Sequence, residues 1–148
     1  MLIELTTPLP GRHFNPASST ELDPLDISAY TGIQFLARSA NAKALPQLQV
    51  KLVDASGAPS AGICAIDAGP TDPHACYRPF FTTVDLNNDL DWHLYRVSFA
   101  DLVQDNSAKS SSPDLTRAYQ ILWGIAPALD PNEWQQFDLW IDDVAWYR

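Results

Sequence analysis

The chain has 148 residues, 46% of them hydrophobic and 18% charged, and its 18 acidic and 9 basic residues give a formal net charge of −9. This length suits one globular domain that buries its own core, so we expect a single domain over residues 1–148. The negative charge opposes binding to nucleic acid and to anionic bilayers, and no apolar run reaches the roughly 18 residues of a membrane span.

Short apolar runs separated by 12 prolines and 6 glycines predict an all-β chain, since no long stretch keeps the apolar spacing of an amphipathic helix. The spacing of the runs is typical of a jelly-roll β-sandwich of two antiparallel sheets. In chain order, the predicted strands are 2–6, 32–39, 47–54, 80–85, 92–99, 118–126 and 136–147. Prolines predict irregular structure over 7–24, and 106–113 is expected to be an exposed loop.

The period of two in these strands separates a core face from an outer face. The residues predicted to point inward are Ile33, Phe35, Ala37, Leu48, Val50, Leu52, Tyr119, Ile121, Trp123 and Ile125. Those predicted to point outward are Gln34, Leu36, Arg38, Gln49, Lys51, Val53, Gln120, Leu122 and Gly124. Trp92, Tyr95, Val97 and Phe99 are also assigned to the core.

Two cysteines, Cys64 and Cys76, flank a loop rich in proline, glycine and aspartate. No further cysteine and no closely spaced pair of histidines completes a zinc site, so we expect a disulfide, which would place the protein in an oxidising compartment. Two free thiols in a reducing compartment are the alternative. The chain start lacks the basic segment and long apolar stretch of a targeting signal. Because Met1 leads almost directly into the predicted strand 2–6, one explanation is a mature domain cut from a longer precursor.

The last predicted strand combines aromatic residues with carboxylates. Phe137, Leu139 and Ile141 alternate with Asp138, Trp140 and Asp142, which assigns the first three to the core and the others to the outer face. The apolar residues that follow change parity, so either a bulge resets the register or both faces of the strand become covered, and we place the irregularity at Asp143.

We expect one outer surface to carry Trp140 together with hydrogen-bonding side chains. An indole stacks on the apolar face of a sugar ring, while amide, carboxylate and guanidinium groups bind its hydroxyls. The residues predicted to bind carbohydrate are Trp140, Gln34, Arg38, Gln49, Lys51, Gln120 and Asp138. The alternative is an ordinary solvent-facing sheet with Trp140 packed under a loop. Trp134 and Tyr77 have two interpretations, as parts of a sugar site or as packing within their loops.

Four segments in order resemble the galactose-binding-like jelly-roll domains that occur as carbohydrate-binding modules of bacterial glycoside hydrolases. They are residues 26–35 (DISAYTGIQF), Cys64 to Cys76, residues 92–102 (WHLYRVSFADL) and residues 137–144 (FDLWIDDV). The resemblance covers about residues 24–148. It implies binding of β-glucans or related plant polysaccharides on an open sheet, no catalysis, and secretion from a bacterium. The chain departs from the family in having few residues before position 26, which predicts a shortened N-terminal part, and in having Leu36 where relatives carry Trp.

The resemblance also implies a structural calcium ion near the C-terminal strand. Asp142 or Asp143 matches the position of its carboxylate ligand, and Glu4 is the candidate partner from the first strand. Calcium takes six to eight oxygen ligands, so these residues alone do not complete a site. An uncoordinated aspartate at a bulge is the alternative.

No nucleophile elbow, zinc-binding histidine pair or phosphate-binding glycine loop is present in the sequence, so we expect no enzyme activity. A pair of glycosidase carboxylates is the open alternative, because two such groups act through space and have no fixed sequence spacing. The predicted function is a non-catalytic module that binds polysaccharide, with a tethered glycoside hydrolase as a further expected partner. The alternative is a structural or protein-interaction sandwich without glycan binding. A third interpretation, a lectin-like domain, would take single sugars in a loop pocket.

Overall fold

Seven strands form the structured part of the chain. The computed structural model describes the backbone of 3–7 and residues 10, 23–39, 47–66, 68–69, 72, 74–87, 89–104, 112–125 and 138–148. The strands are β1 (Ile3–Thr7), β2 (Gly32–Ser39), β3 (Leu48–Asp54), β4 (Phe80–Val84), β5 (His93–Ser98), β6 (Ala118–Ile125) and β7 (Leu139–Tyr147). Two 3₁₀ turns, Pro59–Ala61 and Phe99–Asp101, are the helical segments of this part. No described helix is long and apolar enough to cross a membrane.

The strands pair antiparallel in two sheets. One sheet has four strands in the order β1-β6-β3-β4, and the other has three in the order β5-β2-β7. Among these strands, every connection except that between β3 and β4 leads from one sheet to the other. The predicted sandwich of two antiparallel sheets is thus confirmed, and each predicted strand has a counterpart in the structure.

The core lies between the sheets and is built from the residues that alternation pointed inward. Ile33, Phe35 and Ala37 of β2 are completely buried, as are Val50 and Leu52 of β3. Across the sandwich, the ring of Phe35 meets that of Trp123 edge-on, with the centroids 4.8 Å apart. Burial of these large side chains supplies the main stabilising free energy of the sandwich. Because the core lies between the two sheets, their outer faces point in opposite directions.

Strand β7 contains the irregularity predicted at Asp143. The register pairs Gln34 with Ala145 but Leu36 with Asp142, so that two residues of β7 lie opposite Phe35 alone. Asp143 has a φ of 49°, and this extra residue resets the alternation. As a result Leu139 and Ile141 before the bulge, and Val144 and Trp146 after it, all pack against the core. Phe137, predicted to be core, lies outside the described residues.

A second irregularity, in β6, corrects the prediction for Tyr119. Between Val53 and Asp54 the register with β6 shifts, because Gln120 pairs with Val53 while Ala118 pairs with Asp54. Ala118 is therefore in the central core, whereas Tyr119 packs with Val53 and Leu122 in a separate cluster on the outer side of the sheet. The expected inward orientation of Tyr119 is wrong because the bulge adds one residue to the alternation.

The predicted disulfide between Cys64 and Cys76 is confirmed, with the two Cα atoms 5.0 Å apart. The bonded segments also share backbone hydrogen bonds, since the Ala65 amide donates to the His74 carbonyl and the Cys76 amide donates to the Ala65 carbonyl. Closing this loop stabilises the fold by roughly 2–3 kcal/mol on the chain-entropy estimate.

Candidate functional site

The outer face of the three-stranded sheet can be read as rows of side chains that cross the strands. In the register, Leu36 lies between Leu94 and Asp142, Gln34 lies between Arg96 and Ala145, and Gly32 lies between Ser98 and Tyr147. At the opposite end of the sheet, Arg38 pairs with Trp140, and Trp92 directly precedes β5 on the other side of Arg38. Rows in a sheet are about 7 Å apart along the strands, so the face extends over roughly 20 Å from the Trp92 row to the Tyr147 row.

The first row is a guanidinium group flanked by two indoles. The Arg38 Cζ atom lies 5.0 Å from the ring centroid of Trp92 and 5.0 Å from that of Trp140. Both rings are open to solvent, with 41% of Trp92 and 50% of Trp140 exposed. A cation at this distance from a ring face is attracted to its electrons and orients the ring. We call Trp92, Arg38 and Trp140 the Trp–Arg–Trp row.

The Arg38 side chain is partly buried between the two indoles. Its Nε atom is buried and has no hydrogen-bond partner among the described residues. The two indoles at its sides contribute to that burial. The row therefore presents aromatic surface outward and keeps the cation between the rings.

The turn that carries Trp92 is closed by hydrogen bonds to one carboxylate. Asp89 Oδ1 accepts from the Asp91 amide at 3.0 Å and from His93 Nε2 at 2.8 Å. Asn87 Nδ2 lies 3.0 Å from His93 Nδ1. When His93 Nε2 donates to Asp89, Nδ1 of the neutral ring can accept a hydrogen bond from the Asn87 amide. The hydrogen bond with His93 is the largest cause that holds the pKa of Asp89 below its ordinary value. These contacts fix the backbone on both sides of Trp92.

The far end of the face carries Tyr147 and Arg96. A Cβ atom on Gly32 would lie 2.6 Å from a ring carbon of Tyr147, which means that the ring covers the glycine. The Arg96 Cζ atom is 5.6 Å from the same ring centroid. Between the two aromatic ends lie the half-buried Gln34 and the exposed Asp142, so the face offers hydrogen-bond donors and acceptors beside its rings.

The assignment of Trp92 to the core is wrong, and the missed signal was present in the sequence. Trp92 shares the parity of Leu94 and Arg96, whereas Tyr95 and Val97 have the opposite parity and contact the core. Leu94 is 54% exposed. Strict alternation would therefore have placed Trp92 on the outer face. Trp92 also gives this face a second indole, on the opposite side of Arg38 from Trp140.

The structure separates the predicted carbohydrate-binding residues into two groups. Gln34, Arg38 and Trp140 lie on the outer face of the three-stranded sheet, and the exposed Asp138 directly precedes β7. Gln49 and Lys51 of β3 and Gln120 of β6 belong to the four-stranded sheet, which faces the other way. The expectation that one surface carries all of them is wrong, because alternation assigns a side chain to a face without saying to which sheet the strand belongs.

The two aspartates proposed as calcium ligands lie at the bulge of β7 and are exposed. Asp142 Oδ1 accepts a hydrogen bond of 2.8 Å from the Asp143 amide. Within the described ranges, no three His, Cys, Asp or Glu side chains group in a way that would hold a metal ion. Glu4, the proposed partner, belongs to the other sheet. The described residues therefore do not assemble a calcium site, and the calcium ion stays a prediction of the family resemblance alone.

Comparisons of this chain with protein-family models, with curated proteins and with solved structures gave no match.

Proposed function

We propose that this protein is a non-catalytic, secreted domain that binds a polysaccharide on the outer face of its three-stranded sheet. The observation that carries the proposal is the Trp–Arg–Trp row, in which two exposed indoles lie side by side across the sheet with a guanidinium group between them. The disulfide supports an oxidising, extracellular environment.

The chemistry of the row suits the flat face of a sugar ring. Pyranose rings present apolar C–H groups that stack on an aromatic surface, and the free energy comes mainly from burying both apolar surfaces. The exposed indoles of Trp92 and Trp140 offer such surface, and Arg38 holds them in place before a ligand arrives. Binding then costs less side-chain entropy than it would with freely rotating rings.

The length of the face favours a chain over a single sugar. The rows extend over roughly 20 Å, and Arg96, Gln34 and Asp142 lie along them. Their guanidinium, amide and carboxylate groups match the hydroxyls at the edge of a polysaccharide. A tethered glycoside hydrolase would gain effective substrate concentration from even weak binding of this kind.

One observation favours a second function, in which the same face binds a protein. Leu94 and Leu36 lie next to each other in the second row, and Leu94 is largely exposed. Tryptophan and arginine are also the residues most enriched at the energetic centres of protein interfaces. A structural or protein-interaction sandwich is therefore the alternative.

Affinity electrophoresis in gels containing soluble β-glucan, xylan or mannan tests the proposal. We expect retardation by at least one of these polymers. Trp92→Ala and Trp140→Ala should each weaken binding about tenfold or more, as truncation of a central aromatic contact does. Val103→Ala is the matched control, since Val103 is also exposed but pairs with β4 of the other sheet.

Absence of retardation by all the polymers, or unchanged binding by both tryptophan variants, would contradict the proposal. Sedimentation at several protein concentrations addresses the alternative. Self-association that Leu94→Ala abolishes, without glycan binding, would assign the face to protein contact.

A further inference from the structure

The outer face of the four-stranded sheet contains a cavity of about 240 Å³. Lys51 and Val53 of β3 and Gln120 and Leu122 of β6 line it on the sheet side. The segment 57–60, together with Tyr77, Tyr119 and Pro79, completes the lining. Pockets for drug-sized ligands usually measure about 300–1,000 Å³, so this cavity suits one small ring.

Two independent backbone irregularities bring tyrosine side chains to this cavity. The bulge in β6 places Tyr119 on the outer side of the sheet. Tyr77 has a φ of 64°, a left-handed conformation that is unusual for a bulky residue, and its side chain is 70% exposed. Bulges and strained residues are concentrated at functional sites, because there the chain must aim a particular side chain.

Hydrogen bonds hold the turn that leads from β3 into the lining segment 57–60. Asp54 Oδ1 accepts from the amide and the hydroxyl of Ser56 at 2.8 and 2.6 Å, and Asp54 Oδ2 accepts from the Asp114 amide at 2.8 Å. The Tyr77 amide donates to the Gly57 carbonyl at 2.9 Å. A Cβ atom on Gly57 would lie 3.0 Å from the Arg78 carbonyl oxygen, so a larger residue would crowd this backbone contact.

The lining offers apolar surface together with hydrogen-bonding groups. Tyrosine rings and proline provide the apolar surface, and Gln120 and Ser60 are the neutral polar residues of the lining. Lys51 is only 7% exposed, and its Nζ atom lies close to Gly124. The described lining has no carboxylate. This combination does not suit a cation, whereas it matches a compact ring with one apolar face and several hydroxyls.

We propose that this cavity binds a single sugar residue, either a free monosaccharide or the end of a glycan chain. The site lies on the face opposite the Trp–Arg–Trp row and uses none of its residues. It therefore goes beyond the proposed polysaccharide binding and does not depend on it. A domain with both sites would hold the body of a chain on one face and a chain end on the other.

Titration followed by ¹H–¹⁵N NMR spectra tests this site. The first probes are methyl glycosides of glucose, galactose, mannose, xylose and glucuronic acid. The second probes are short oligosaccharides that carry the sugar of the binding methyl glycoside either at a chain end or only in the interior of the chain. We expect at least one methyl glycoside to shift the amide signals of Gly57, Tyr77 and Gln120. Binding of oligosaccharides with the sugar only at an end would identify the chain end as the ligand, and binding of the free sugar alone would identify a monosaccharide.

The variants separate this site from the platform on the other face. Tyr77→Ala removes an exposed side chain and should weaken binding about tenfold or more, and Gln120→Ala provides a second variant. Trp140→Ala should leave binding unchanged, as should the control Ile66→Ala, which alters another exposed residue of the disulfide loop. The proposal is overturned if none of the probes shifts these signals in the folded protein, or if Tyr77→Ala and Gln120→Ala bind as well as the unmodified chain.

Discussion

Arg38 shows how one side chain organises the candidate binding face. Its guanidinium group lies at the same distance from both indoles of the row. Each cation–π contact at a partly exposed position contributes about 0.5–1 kcal/mol. Because the Arg38 guanidinium lies between the rings of Trp92 and Trp140, which flank β2 on its two sides, it also fixes the orientation of both rings. We therefore regard Arg38 as a positioning residue for stacking.

A double-mutant cycle measures this coupling. Arg38→Met keeps an apolar stem but removes the charge, and Trp140→Leu removes the indole. We expect the two substitutions to be non-additive in the free energy of unfolding by about 0.5–1 kcal/mol. Urea unfolding of the four proteins provides the values, and the matched cycle of Arg38→Met with Val103→Ala should show additivity. Additive effects of Arg38→Met and Trp140→Leu would show that the contact between Arg38 and Trp140 does not contribute to the free energy of unfolding.

At the scale of the strand, the bulge at Asp143 determines which residues of β7 reach the core. Without the extra residue opposite Phe35, Val144 and Trp146 would point away from the core, because a shift of one residue reverses the face of every side chain. Trp146 also donates from its Nε1 atom to the Pro10 carbonyl at 3.2 Å. The left-handed backbone at Asp143 is therefore a requirement of the packing.

Substitution at this position tests that requirement. A β-branched residue in the left-handed conformation costs roughly 1–2 kcal/mol, while glycine adopts it without strain. We expect Asp143→Val to be less stable than Asp143→Gly by about that amount, measured by chemical denaturation. Asp138→Val is the control at an exposed position whose φ is not positive. Equal stabilities of Asp143→Val and Asp143→Gly would show that the bulge does not depend on the left-handed conformation.

Sequence patterns predicted the strands well because alternation and turn residues act locally. The strand Gly32–Ser39 has the predicted bounds, and the others differ by a few residues at their ends. The irregularity at Asp143 was also visible, since the apolar residues change parity there. By contrast, the bulge at Tyr119 left no comparable signal, because both Ala118 and Tyr119 are compatible with a buried position.

The binding face was only partly predictable for a related reason. Alternation correctly put Gln34, Arg38 and Trp140 on an outer face. It did not show that Gln49, Lys51 and Gln120 lie on the opposite sheet. Pairing between strands is set by long-range packing, which the local pattern of a single strand does not encode. The Trp–Arg–Trp row is a product of that pairing.

For the molecule as a whole, several aspartates link stability to pH. Hydrogen bonds lower the pKa of three carboxyls below the ordinary value of 3.8, with the side chain of Ser28 as the largest cause for Asp26, His93 for Asp89 and Thr116 for Asp114. A carboxyl with a lowered pKa in the folded state stabilises the protein above the unfolded pKa. This stabilisation is lost as the pH falls through the folded value.

We therefore expect the free energy of unfolding to decrease as the pH falls below about 4, because the unfolded chain then takes up protons that these carboxyls do not yet bind in the folded protein. Urea unfolding at a series of pH values measures the decrease. Asp114→Asn and Thr116→Val should both make it shallower, because the Thr116 hydroxyl donates to Asp114 Oδ1 at 2.6 Å. A slope as steep as that of the unmodified protein in both variants would contradict the assignment of Asp114.

The two outer faces are the two separate surfaces that we propose for recognition. One carries an open row of indoles and the other a small cavity bordered by tyrosines. The sandwich core between them keeps the faces apart. Binding to one face is thus expected to leave the residues of the other unchanged.

Titration of the indole N–H signals with polysaccharide fragments tests polysaccharide binding most directly. Trp123 is buried in the core and Trp146 donates to the Pro10 carbonyl, so both serve as internal controls. We predict that fragments of a polymer that retards the protein shift the signals of Trp92 and Trp140 and leave those of Trp123 and Trp146 in place. Binding without any shift of Trp92 and Trp140 would contradict the assignment of the site to the Trp–Arg–Trp row.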